Sequence, residues 1–149
     1  MHTELHLRAE FLNALTHGVG ALLSLIGGVT LITMASLWGS KWQLISAIVF
    51  SLSLIGLYTS STLYHSTHEP KAKGRLQILD HCMIYVLIAG SYTPFTLIAM
   101  REDGGWLIFG ITWTLALIGI IFKLFYTGRF EVLSTLIYLG MGWLVIFAA

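Results

Sequence analysis

Five long stretches of the chain lack any Asp, Glu, Lys or Arg, and these stretches constrain the fold more than any other feature. Each is at least 18 residues long. A helix needs about 20 apolar residues to cross about 30 Å of hydrocarbon. The pattern therefore predicts an all-α integral membrane protein with five transmembrane helices, near Thr16–Leu37, Trp42–Tyr64, Leu76–Met100, Trp106–Phe125 and Val132–Ala149. The alternative, five consecutive buried helices of a soluble protein, is disfavoured in a chain of only 149 residues.

The composition excludes several other classes of protein. Only 10% of the residues are charged, against about 25% in an ordinary soluble domain. The chain is 56% hydrophobic, which excludes intrinsic disorder. The net charge of +1 gives no argument for a nucleic-acid partner, so membrane lipids are the expected partners. The single cysteine, Cys82, excludes an internal disulfide.

The basic residues predict how the helices are oriented. Six lysines and arginines fall in the N-terminal segment and in the second and fourth connections, whereas the first and third connections hold two. Basic residues collect on the cytoplasmic side. We therefore expect a multi-pass protein of the inner (plasma) membrane with a cytoplasmic N-terminus. Residues 1–149 form one membrane domain, of which 1–15 are a cytoplasmic segment.

Small residues and one proline predict how the helices pack. Gly20, Ser24 and Gly28 recur every fourth residue in the first span, and Ser53, Gly56 and Ser60 share a face of the second. Small residues let helix backbones approach closely in a membrane. Proline inside the third span, at position 94, removes a backbone donor and predicts a kink.

Polar residues cluster at the ends of three predicted helices, all on the predicted cytoplasmic side. They are Glu10, Asn13, His17, Ser61, His65, Asp80 and His81. The spacings i, i+3, i+7 in the first helix and i, i+4 in the second place each set on one helix face. Ionisable groups at membrane depth are costly and usually functional, and this combination suits a metal or proton site. Taken singly, each residue has a structural alternative: an interfacial histidine, or an aspartate that caps a helix.

The same residues form a pattern that resembles the hemolysin III family. The matching elements are Glu10-x2-Asn13-x3-His17, Ser61-x3-His65, the stretch 79–81 (Leu-Asp-His) and the stretch 89–95 (Ala-Gly-Ser-Tyr-Thr-Pro-Phe). This family is the bacterial branch of the progestin and adiponectin receptor superfamily. The resemblance covers essentially the whole chain and implies a seven-helix bundle with a cytoplasmic N-terminus.

The resemblance also implies chemistry for individual residues. It implies a zinc ion near the cytoplasmic leaflet, with His65 as a ligand, Asp80 holding a zinc-bound water and Ser61 one turn before the ligand. Glu10, Asn13 and His17 then form a supporting shell. The superfamily is similar to alkaline ceramidases, so hydrolysis of a lipid amide is the implied reaction.

The chain departs from the family pattern in the number of helices. It has five predicted spans rather than seven and lacks the H-x-x-x-H of the seventh helix, which supplies the other two zinc ligands. The only H-x-x-x-H, at 2–6, lies before the first span and is interpreted as a chance match. We expect a sequence that is truncated before the last two helices, with an incomplete zinc site.

Three functions follow from this pattern. The first is a zinc-dependent lipid amide hydrolase, in which Asp80 and Ser61 act on the reacting water or oxyanion. The second is a non-catalytic membrane sensor or regulator with a structural zinc. The third is a pore-forming cytolysin, which the pattern supports least, because pores are lined by polar rings and these helix middles are apolar.

Overall fold

The computed structural model describes residues 2–148, and the surroundings of side chains for residues 4–146. The helices are α1 (His2–Trp38), α2 (Lys41–Ser66), α3 (Pro70–Pro94), α4 (Gly105–Tyr126) and α5 (Glu131–Trp143). A π-helical turn (Phe95–Ala99) continues α3, and a 3₁₀ turn (Leu144–Ala148) continues α5. Residues 2–148 include no strand. The predicted all-α class is confirmed.

Four of the helical segments are long and apolar enough to cross a membrane. They are Glu4–Trp38, Lys41–Ser66, Pro70–Ala99 and Gly105–Tyr126. The last apolar helix, Glu131–Ile146, is shorter. The structure is consistent with an integral membrane protein, with four helices long enough to span and a shorter fifth helix where the sequence predicted a fifth span.

Local capping fixes where two of the helices begin. Ser40 caps α2 in a capping box: its side chain accepts from the backbone N–H of Gln43, whose side chain accepts from the backbone N–H of Ser40. Glu69 caps α3 and accepts from two backbone N–H groups, with Pro70 as the first helical residue. The third helix therefore begins at Pro70, six residues before the predicted start, and the basic connection becomes its first turns.

Consecutive helices pack against each other, α1 on α2, α2 on α3 and α3 on α4. Because the connections are short, neighbouring helices run antiparallel. The beginnings of α1, α3 and α5 and the ends of α2 and α4 therefore meet at one side of the bundle, which we call the N-terminal face. The helix α1 packs mainly against α2 and leaves most of its large apolar side chains exposed, as expected of a helix that faces lipid.

The predicted kink at position 94 takes the form of a change in helix type. The α-helical part of α3 ends at Pro94, and five π-helical residues follow. The backbone N–H of Met100 bonds to the carbonyl oxygen of Phe95, which is the i→i+5 spacing of a π-helix.

Small residues bring the helix backbones together, as their spacing predicts. Gly20 lies against the ring of Tyr58, and Gly28 lies against Ser51, so both form the α1–α2 contact. Gly90 of α3 meets Ser53 of α2, where an added Cβ would lie 2.3 Å from Oγ. These contacts leave no space for a methyl group.

We predict that Gly90→Ala lowers the thermal stability of the detergent-solubilised protein. Alanine favours a helix over glycine by about 1 kcal/mol, but the overlap with Ser53 outweighs this gain, because the added Cβ also lies 2.7 Å from the Cβ of Ser53, which cannot rotate away without moving the backbone of α2. The matched control is Gly140→Ala, since a Cβ at Gly140 meets no atom within 4 Å. We expect the melting temperature to fall for Gly90→Ala and to stay level or rise for Gly140→Ala. Equal shifts in both variants would contradict the close contact.

Candidate functional site

A polar cluster joins α1, α2 and α3 at the N-terminal face. Its members are Glu10 and His17 of α1, Ser61 and His65 of α2, and Lys73 of α3. The spacings i, i+7 on α1 and i, i+4 on α2 place each pair on one face of its helix. The close packing of α1 on α2 brings these two faces together.

The contact between His17 and Ser61 is the shortest link between α1 and α2 in the cluster. The Nδ1 atom of His17 lies 2.5 Å from the Oγ atom of Ser61. Ser61 is 3% exposed, and the ring of His17 also packs edge-on against Tyr58, with 5.8 Å between ring centroids. A nearly buried hydroxyl group is therefore held against an imidazole whose orientation is fixed from a second side.

The other pair in the cluster links His65 to Glu10. The Nδ1 atom of His65 lies 3.4 Å from Oε2 of Glu10, and both side chains are largely buried. The rings of His65 and His17 meet edge-on, with 5.8 Å between centroids. Glu10, His17, Ser61 and His65 thus form one connected group, although residues 10 and 61 lie 51 positions apart in the chain. The sequence analysis assigned all four to one site.

Lys73 also belongs to the cluster. The sequence analysis counted this lysine only among the basic residues that predict the orientation of the helices. Its Nζ atom lies 2.5 Å from Oε2 of Glu10 and 3.4 Å from the carbonyl oxygen of Tyr64. The ammonium group also sits 4.8 Å from the centroid of the Tyr64 ring. The signal in the sequence was the Glu-Pro step at 69–70, which starts α3 early enough to place Lys73 on a helix rather than in a loop.

Two residues assigned to the site from the sequence are not joined to the cluster. The side chain of Asn13 is exposed. It is the backbone carbonyl of Asn13, rather than its side chain, that accepts a hydrogen bond from the hydroxyl group of Thr16. Asp80 is partly buried on α3, and within residues 2–148 it has no hydrogen bond or ion pair with Ser61 or His65. The roles of Asn13 and Asp80 therefore stay predictions.

The described residues do not bring together the three ligands that a catalytic zinc site needs. A catalytic zinc needs three protein ligands and an open position for water. In the part of the chain that the structure describes, no group of three or more His, Cys, Asp or Glu side chains is arranged to hold a metal ion. In addition, the carboxylate of Glu10 is already neutralised by the ammonium group of Lys73.

A second ionic contact lies at the same face, between α4 and α5. The side chain of Lys123 is 1% exposed, and its Nζ atom lies 3.7 Å from Oε2 of Glu131. Next to it, the hydroxyl group of Tyr138 donates to the backbone carbonyl of His81 at 3.2 Å, which joins α5 to α3. The sequence analysis counted Lys123 only among the basic residues that predict the orientation of the helices, and it assigned no role to Glu131 or Tyr138. Both contacts tie the shorter fifth helix to the bundle.

The chain was compared with known proteins. The Haemolysin-III related family matches residues 5–149. The Hemolysin-3 homolog of Bacillus subtilis (strain 168) is 49% identical over 142 residues, which cover 95% of this chain and 67% of that protein. Hemolysin-3 of Bacillus cereus is 49% identical over 141 residues, which cover 95% of this chain and 64% of that protein.

A more distant similarity extends to mammals. The human Monocyte to macrophage differentiation factor is 27% identical over 143 residues, which cover 87% of this chain and 56% of that protein. No solved structure matches the chain. The chain thus spans about two thirds of the length of its bacterial relatives and little more than half of the human one. Because the family match covers residues 5–149 and two relatives are 49% identical across 95% of the chain, this multi-pass membrane protein belongs to the Haemolysin-III related family.

Proposed function

We propose that this protein hydrolyses the amide bond of a membrane lipid, such as a ceramide, at the cytoplasmic leaflet of the plasma membrane. The observation that carries the proposal is the 2.5 Å contact between Oγ of Ser61 and Nδ1 of His17. A hydroxyl group held against an imidazole is the arrangement by which many proteins activate a nucleophile for acyl transfer. The position of the cluster at the end of the membrane helices is where the polar end of a lipid substrate lies.

The side chains of the cluster have distinct roles in this proposal. His17, with its proton on Nε2, accepts the proton of Ser61 through Nδ1 as the serine oxygen attacks the carbonyl carbon. His17 then returns the proton to the nitrogen of the leaving amine. Lys73 pairs with Glu10 and holds that carboxylate beside His65, at the edge of the Ser61–His17 pair. Water then attacks the carbonyl carbon of the acyl group on Ser61, and His17 takes the proton of the water and passes it to Oγ of Ser61 as the bond between Oγ and the acyl carbon breaks, which frees the fatty acid. The role of Asp80 in holding this water is the one that the resemblance implies.

We predict that His17→Ala and Ser61→Ala each lower fatty-acid release by about 100-fold or more, the size of a general acid–base contribution. Asp80→Ala is expected to lower release as well. The measurement is fatty acid freed from ceramide by the purified protein in lipid nanodiscs. The matched control is Thr62→Ala, one residue from Ser61, whose hydroxyl donates to the backbone carbonyl of Tyr58 instead of to the cluster. Release by the His17 and Ser61 variants at the rate of the control would overturn the proposal.

Zinc is no part of this reaction scheme, because the described residues do not supply three ligands. The affinity for a metal falls steeply when ligands in direct contact with the ion are missing. We therefore predict that the purified 149-residue chain retains substoichiometric zinc after dialysis, as measured by elemental analysis. Stoichiometric zinc that is lost in His65→Ala would show that the chain completes a site without further ligands, and would contradict the prediction.

A second candidate function, a non-catalytic sensor or regulator, is favoured by the contacts of Glu10. Its carboxylate bonds to Lys73 of α3 and faces His65 of α2, so one side chain of α1 ties three helices together. In this role the polar cluster acts as a clamp between helices, and the protein turns over no lipid.

We predict that Glu10→Gln and Lys73→Met each lower the melting temperature, and that the double variant loses less than the sum of the two. A coupling free energy of about 1 kcal/mol is expected for a partly buried pair. The matched control is the exposed pair Arg101–Glu102, 3.9 Å apart, for which the same cycle gives a coupling near zero. Additive effects at Glu10 and Lys73 would remove the support for a clamp.

The names of the two bacterial relatives record hemolysis, so cytolysis is tested in the same preparation. Release of a trapped dye from liposomes separates a pore from a hydrolase. Leakage in the absence of fatty-acid release would favour a cytolysin and reject the hydrolase.

A further inference from the structure

Three side chains of α2 surround the imidazole ring of His17. Tyr58, Ser61 and His65 follow one another at i, i+3 and i+7, which places them on one face of α2, toward α1. Ser61 contacts Nδ1 of His17, and the rings of Tyr58 and His65 each meet the His17 ring edge-on, with 5.8 Å between centroids and 82° between planes. The sequence pattern singled out Ser61 and His65 but not Tyr58.

The rings of Tyr58 and His65 lie on opposite sides of His17. Seven residues of helix separate them and rise by about 10 Å, so one ring precedes His17 along α2 and the other follows it. Aromatic rings favour this edge-on arrangement. The imidazole ring is thus held between the two, with the hydroxyl group of Ser61 at its nitrogen.

Tyr58 is itself held in place by the backbone of α1. A Cβ built on Gly20, three residues after His17, would lie 2.6 Å from Cδ1 and 2.7 Å from Cε1 of Tyr58. The ring of Tyr58 therefore lies directly against the helix that carries His17. Because Gly20 has no side chain to intervene, one ring contacts both the α1 backbone and the imidazole.

The proposed reaction depends on how the ring of His17 is rotated. The torsion angle χ2 of histidine is broad and roughly two-fold, and a half turn puts Cδ2 in the place of Nδ1. Only the nitrogen can accept the proton of Ser61, and its lone pair lies in the plane of the ring. A single hydrogen bond leaves the ring free to swing about that bond, whereas contacts on both sides fix its plane.

From these contacts we infer that Tyr58 is a positioning residue of the proposed reaction, and that its ring holds the imidazole of His17 with Nδ1 directed at Ser61. The inference rests on the proposed function and adds a residue that acts only through His17. The contact is made by the ring of Tyr58, so phenylalanine is expected to substitute for tyrosine.

The first test compares Tyr58→Leu, which removes the ring, with Tyr58→Phe, which keeps it. Tyr58→Leu is expected to lower kcat for fatty-acid release from ceramide about tenfold, the effect of losing one aromatic contact, and to leave KM unchanged. Tyr58→Phe is expected to retain the rate. The matched control is Tyr126→Leu, because Tyr126 ends α4 at the same face and packs against Phe122 and Phe130 instead.

A double variant shows whether Tyr58 acts through His17. In the His17→Ala background, Tyr58→Leu is expected to cause no further loss of release, because the group that it positions is gone. A further loss of about tenfold in that background would overturn the inference. The melting temperature of each variant is recorded, and Tyr58→Met, which also lacks a ring, replaces Tyr58→Leu if the latter unfolds.

The second test needs no turnover. In the purified protein labelled with ¹⁵N-histidine, the Nδ1 signal of His17 is identified by its absence from His17→Ala, and its change in Ser61→Ala reports the hydrogen bond. Tyr58→Leu is expected to move this signal toward its position in Ser61→Ala, whereas Tyr58→Phe and Tyr126→Leu leave it in place. An unmoved signal in Tyr58→Leu would contradict the positioning role, whatever the rate of release.

The two proposals fail in different ways. If the unmodified protein releases no fatty acid while the Nδ1 signal responds as expected, the hydrolase is rejected and Tyr58 remains the residue that orients His17. If release depends on His17 and Ser61 but neither kcat nor the Nδ1 signal responds to Tyr58→Leu, the hydrolase stands and the role of Tyr58 is rejected.

Discussion

The structure depends on close approach between helices that gain little from burying apolar surface. In a membrane, helices have no hydrophobic drive to associate, so small residues and van der Waals contact hold them together. Gly20 against Tyr58 and Gly28 against Ser51 set the distance between α1 and α2, and Gly90 against Ser53 sets that between α2 and α3. With larger residues at these positions, the polar side chains at the N-terminal face would not meet.

The polar cluster is one consequence of this packing. Buried polar groups in a medium of low polarity need partners, and here each group finds its partner on a different helix. His17 meets Ser61 across the α1–α2 seam, while Glu10 meets both His65 and Lys73. The same contacts hold the hydroxyl group of Ser61 against the imidazole of His17. In the proposed reaction, stability and chemistry therefore depend on one set of side chains.

The sequence by itself determined the class of fold and most of the members of the site. Long apolar stretches must be helical in hydrocarbon, because no other local structure satisfies every backbone N–H and C=O group. Helical periodicity then placed Glu10 with His17, and Ser61 with His65, on common faces, and the family pattern agreed with this grouping. The bounds of α3 were predicted six residues late, because the capping role of Glu69 was not recognised.

The tertiary structure decided which of these side chains touch. Helical spacing gives the face of a residue but not the rotation and depth of one helix against another, so it did not reveal that Lys73 reaches Glu10 or that Lys123 is buried beside Glu131. By its spacing, Asn13 lies on the same helix face as His17. Its side chain is nevertheless exposed, because a shared face does not fix how deeply each residue is buried against the neighbouring helix. The hydrogen bonding of the helix serines could not be read from the sequence either. Serine is common in packed helices, and only the three-dimensional contacts distinguish Ser51 and Ser46 from serines that bond to their own backbone.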